Sequence, residues 1–129
     1  MARVPVVRIG EILVAAVQED LYDRDALALQ TDLSTALDRT GAHGVLLDIS
    51  VVETVDSFLG RMLNDIAALT KLLGAHTVLV GMQPAVAITL VELGLDLKGI
   101  RTALDAEKGL ALLQRLIARD ATVGRTRVR

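Results

Sequence analysis

The chain has 129 residues, a formal net charge of −2 and no cysteine. That length suits one domain able to bury roughly two-thirds of its surface, and the missing thiol excludes disulfides, thiolate catalysis and cysteine metal sites, as in a cytoplasmic protein. Hydrophobic residues make up 52% of the chain but aromatic ones only 2%, so the core must be aliphatic, and base or sugar recognition by stacking is nearly unavailable.

Residues 4–9 and 12–17 are β-branched-rich runs separated by Gly10-Glu11, the pattern of a hairpin. Residues 20–25 are polar and acidic and open a helix, with Asp23 as the expected N-cap and Asp25 in the first turn. Leu29, Leu33, Ala36 and Leu37 then recur at helical spacing until Gly41 stops the helix. Residues 44–49 are a short apolar strand, followed by a polar-flanked loop over 50–56. Phe58, Leu59, Met62, Leu63, Ile66, Leu69, Leu72 and Leu73 predict a second, amphipathic helix ended by Gly74. Residues 77–80 are a third apolar strand. Residues 81–84 turn into a third helix with Pro84 in its first turn, running to Gly94. Residues 100–104 read as an edge strand, and Asp105 caps a last helix to about Arg119, with Leu110, Leu113 and Ile117 inward. Residues 121–129, with Arg125, Arg127 and Arg129, are expected to form a disordered basic tail.

Strands alternating with helices imply a single α/β domain over residues 1–120. Its sheet is mixed, with four to five strands, parallel at the centre, and packs with about four helices. Residues 72–91 contain no Asp, Glu, Lys or Arg and are long enough to span a bilayer. Gly74, His76, Gly81, Gln83 and Pro84 break that run, so a buried strand and helix are expected and no membrane span. No basic, apolar, small-residue leader opens the sequence, so no secretory signal is expected. The body is mildly acidic once the three terminal arginines are set aside, which argues against a nucleic-acid surface.

His43 and His76 begin neighbouring strands, and no third ligand stands at a zinc-like spacing, so neither a metal nor any other cofactor is expected. Phosphate-cradling glycine loops and a nucleophile elbow are absent, and Ser57 has no histidine nearby in sequence to serve as base. An enzyme is not expected. The carboxyl ends of the strands are more informative, because open α/β sheets place their ligands there. One strand feeds the loop ending Glu53-Thr54-Val55-Asp56-Ser57, and the next feeds Gly81-Met82-Gln83-Pro84. Neighbouring strands would set these loops side by side. Ser57 would then begin a helix, where a serine is either an ordinary N-cap or a phosphorylation site at the positive end of the helix dipole.

Five blocks carry a resemblance. They are residues 45–50 (VLLDIS), 55–58 (VDSF), 71–75 (KLLGA), 81–87 (GMQPAVA) and 92–94 (ELG). In this order and at these intervals the chain resembles the STAS domain of anti-sigma-factor antagonists, and within that family the small scaffold subunit of the bacterial stressosome (RsbS type). The resemblance covers about residues 4–118. It implies a non-catalytic protein that assembles with longer, sensor-bearing STAS paralogues into a large shell, and holds a serine/threonine switch kinase until that kinase phosphorylates it. By position it makes Ser57 the phosphoacceptor and Thr89 a weaker second. It makes Glu53, Asp56, Phe58, Gly81, Met82, Gln83 and Pro84 the partner-binding surface. Antagonists that bind an anti-sigma factor directly usually follow Asp-Ser with Ser or Thr and then Gly, whereas Phe58 and Leu59 stand here. That departure favours the stressosome type. A direct antagonist, and a small-ligand-binding or enzymatic α/β domain, remain the alternatives.

Overall fold

The structure is a computed structural model that describes residues 4–19, 21–95, 97 and 99–127, without the side chains of 124–127. Strands β1 (Val6–Ile9) and β2 (Ile12–Ala16) form the expected hairpin around Gly10-Glu11. Helix α1 (Asp23–Thr40) follows, then β3 (Gly44–Asp48), α2 (Ser57–Leu72), β4 (His76–Val80), α3 (Pro84–Glu92), β5 (Ile100–Ala103) and α4 (Ala106–Arg127). The five strands lie in sequence order, with β1 antiparallel to β2 and every other pair parallel.

The alternation of side chains across the sheet divides the core in two. On one face Leu13, Ala15, Val45, Leu47 and Leu79 meet Leu29, Leu33 and Leu37 of α1, Met62, Leu63 and Ile66 of α2, and Val86 and Leu90 of α3. On the other, Ile12, Leu46, Val78 and Val80 pack against Leu113 of α4, with Leu110 and Ile117 beside it. Gly109 lets α4 press close, since a Cβ there would lie 2.4 Å from Val80. β3 and β4 are thus covered on both faces, which is why they read as unbroken apolar runs. Two threonines break the aliphatic interior, and their hydroxyls satisfy each other: Thr70 of α2 is bonded to Thr77 of β4.

Some boundaries differ from expectation. Asp23 is not the α1 N-cap but its first helical residue. Tyr22 is the cap, and the Asp25 carboxylate accepts the Tyr22 backbone N–H at 3.0 Å. Gly41 does end α1, in the left-handed conformation at φ 68°. Asp105 caps α4 as expected, accepting from Lys108 N–H at 2.9 Å. α4 continues past Arg119, so the backbone over 121–127, expected as a disordered tail, is helical. Nothing from Leu116 to Val123 breaks a helix, and Asp120 is tied back to His76. Asp20, placed in the acidic helix entry, and Arg129 of the tail lie outside the described residues.

Candidate functional site at the carboxyl edge of the sheet

Pairing of β3 with β4 brings their following loops together, as the alternation of elements predicts. Ile49 N–H continues the ladder to Val80 O at 3.0 Å before the chains part. The Asp48 carboxylate then accepts Ser50 N–H at 2.9 Å and bends the chain outward. Gln83 reaches across and donates from Nε2 to Ser50 O at 2.9 Å. Gly81 is held where no side chain fits: its φ is 77°, and a Cβ would stand 2.8 Å from that of Ser50. Val52 is fully buried and anchors the loop's middle.

Beyond Val52 the loop is tied to the β2–α1 connection. Glu53 N–H donates to both carboxylate oxygens of Glu19, at 3.0 and 3.2 Å. Glu19 was not singled out in the sequence, because nothing local marks a contact between residues 34 apart. It lines a cleft of about 190 Å³ with Leu21, Thr54, Val55, Asp56, Phe58 and Leu59.

Ser57 is the first residue of α2 rather than its cap. The cap is Asp56, whose backbone is extended (φ −117°, ψ −179°) and whose side-chain Oδ1 accepts Leu59 N–H at 2.9 Å. The ordinary structural role available to Ser57 is therefore taken by its neighbour. The Ser57 side chain is half-buried and has no hydrogen bond to another described residue. Phe58 points partly into the core, Glu53, Asp56 and Pro84 are exposed, and Gly81, Met82 and Gln83 are half-buried. All seven residues expected at the partner surface belong to these two neighbouring loops or the helix starts they feed. Thr89 lies in α3, with its hydroxyl donating to Ala85 O at 3.0 Å.

The histidines sit at the opposite end of the strands. His43 Nδ1 is 2.7 Å from Glu11, and His76 Nε2 is paired with Asp120. Among the described residues no group of three His, Asp or Glu side chains could hold a metal, and no helix is long and apolar enough to cross a membrane.

A sequentially ordered mixed sheet, helices α1–α3 on one face and α4 on the other, and a carboxyl edge made of two interlocked loops define an open α/β domain. The chain belongs to the STAS domain family, whose pattern it matches over residues 3–108. It is 40% identical to a serine-to-glutamate variant of RsbS from Moorella thermoacetica, covering 90% of this chain and 98% of that one with a TM-score of 0.78. It is 42% identical to a chain of a solved stressosome architecture, over 88% of this chain and 98% of that one, again with a TM-score of 0.78. It is also 34% identical over 90 residues to the Bacillus subtilis RsbT co-antagonist protein RsbRD, covering 67% of this chain but 32% of that protein. The chain thus spans about a third of the length of this curated relative.

Proposed function

We propose that this chain is a stressosome scaffold subunit of the cytoplasm, without catalytic activity, that holds a serine/threonine switch kinase and releases it when Ser57 is phosphorylated. The observation that carries the reading is the match to RsbS and to the stressosome chain, at 40% and 42% identity over nearly the whole of both. The direct antagonist SpoIIAA, at 14% identity, shares the fold alone. The likeness to RsbRD, a longer protein, supports longer STAS paralogues as co-assembly partners.

The local chemistry supports Ser57 as the switch. Its hydroxyl bonds to no other described residue, and it sits where the first-turn N–H groups of α2 point outward. A phosphate there brings about −1.5 to −2 charges at pH 7. It competes with the Asp56 carboxylate for the same helix end, and Glu53 from the loop and Glu19 from the β2–α1 connection add their charges. One anion is then turned out towards the partner. A charge desolvated in an interface without a counter-ion costs several kcal/mol, and about 1.4 kcal/mol is tenfold in affinity.

Native mass measurement with co-purified partners tests the reading. The expected result is a large assembly with longer STAS proteins, and kinase bound only before phosphorylation. Light scattering that finds a strict monomer, with and without a longer paralogue, refutes the scaffold reading in favour of the direct antagonist.

A further inference from the structure

We infer that the kinase grips this chain through an open groove between the start of α1 and α2, walled by the aromatic rings of Tyr22 and Phe58. The inference rests on the kinase-holding reading and names where the grip lies.

The chain has one Tyr and one Phe. Large rings in a small domain ordinarily serve the core, yet the largest fully buried side chains here are all aliphatic. Both rings stand instead at one place. Tyr22 is 65% exposed, Phe58 is half-buried with one side on the core, and both line the same open groove together with Leu21, Asp23, Arg24 and Asp56, the residue before Ser57. The capping work of Tyr22 is done by its backbone: its N–H donates to Asp25, and its carbonyl accepts from Asp25 and Ala26 N–H. The exposed ring is not needed for that. A second hollow shares Asp23 and Phe58 with the first and runs on between α1 and α2, lined by Leu27 of α1, itself 63% exposed, and by Arg61 and Asp65 of α2.

Exposed aromatic side chains beside an apolar neighbour, rimmed by charge, are what anchors of protein interfaces are made of. Carboxylates outnumber guanidiniums along the groove, Asp23, Asp56 and Asp65 against Arg24 and Arg61, so the occupant is a kinase surface element that presents an apolar side chain followed by a cation. With the apolar side chain between the rings, the kinase lies against Asp56 and Phe58, the residues on either side of Ser57 in the chain. The anchor and the phosphoacceptor are then parts of one surface, and a phosphate on Ser57 acts at the edge of the docked element.

The test is calorimetric titration of the purified cognate switch kinase into the parent, Tyr22→Ala, Tyr22→Phe, Leu27→Ala, Asp65→Lys and, as a distant control, Val91→Ala, which is 79% exposed on α3. Phosphate uptake is followed in parallel. Tyr22→Ala is expected to weaken binding at least about tenfold, as for an interface anchor. It should raise the kinase concentration needed for half-maximal phosphorylation without changing the rate at saturation. Tyr22→Phe should bind as the parent does, Leu27→Ala and Asp65→Lys should each weaken binding, and Val91→Ala should not. If the parent binds and Tyr22→Ala binds within about twofold of it, or Val91→Ala weakens binding equally, the groove is not the anchor. If the parent itself neither binds kinase nor takes up phosphate, the kinase-holding reading falls and the groove assignment with it.

Discussion

Replacing Asp56 and Ser57 separately divides structure from signalling at the start of α2. Asp56→Ala removes the side chain that accepts Leu59 N–H at 2.9 Å, leaving a first-turn donor to water. Loss of such a cap costs about 0.5–2 kcal/mol, and for a domain of this size about 1 kcal/mol lowers Tm by about 5 °C. Asp56→Asn, which caps as well, should recover most of the loss. Ser57→Ala removes a hydroxyl that bonds to no other described residue, at a helical position that alanine suits, so its stability should stay within about 0.5 kcal/mol of the parent. Thermal melting and urea denaturation of the four proteins, with phosphate uptake from the switch kinase measured on each, make the comparison. Asp56→Ala should melt low and still accept phosphate, while Ser57→Ala should melt normally and accept none. If Ser57→Ala melts as low as Asp56→Ala, Ser57 carries the helix start after all and the division of labour is wrong.

Ser57→Asp should fold as the parent does and bind the kinase at least about tenfold more weakly, and parent-like affinity in a pull-down titration would remove Ser57 as the switch. Gly81→Ala should lose about 1–3 kcal/mol on chemical denaturation, because φ is 77° and the new methyl meets Ser50; an unchanged midpoint would show that the turn is not fixed as described. Thr70→Val should cost about 1–3 kcal/mol by stranding the buried Thr77 hydroxyl. Adding Thr77→Val should cost less than that again, and strict additivity of the two would mean the hydroxyls are not paired. Leu113→Ala, which empties a fully buried side chain that α4 places on the sheet, should cost about 2–5 kcal/mol, read from the urea midpoint.

Most of the fold was legible because its signals are local or periodic. Gly10-Glu11 marks the hairpin, the 58–73 spacing marks α2, and Asp105 and Pro84 mark the starts of α4 and α3. The alternation of strand and helix was enough to set the 50–57 loop beside the 81–84 turn. The errors share a cause. Choosing between Asp23 and Tyr22, or between Ser57 and Asp56, requires knowing which residue leaves the helical conformation, and both candidates of the second pair are good capping residues. The end of α4 was missed because Asp120 gains a partner, His76, from 44 residues away. Glu19 and the grouping of Tyr22 with Phe58 were invisible for the same reason, since each depends on β2 and α1 lying next to the start of α2.

Among the described residues β1 is an edge strand, with no strand paired on its outer side. Val7 and Ile9 there are 55% and 50% exposed. Arg8 interrupts the run between them, and its Nε folds back onto Gly10 O at 2.8 Å, placing a charge beside the turn. Unpaired strand edges recruit strands, and a basic residue at the edge is the usual guard against that. A chain packed among many copies of its own kind, as the scaffold reading proposes, would meet this hazard constantly. One arginine beside the turn therefore helps keep an exposed sheet edge from open-ended growth.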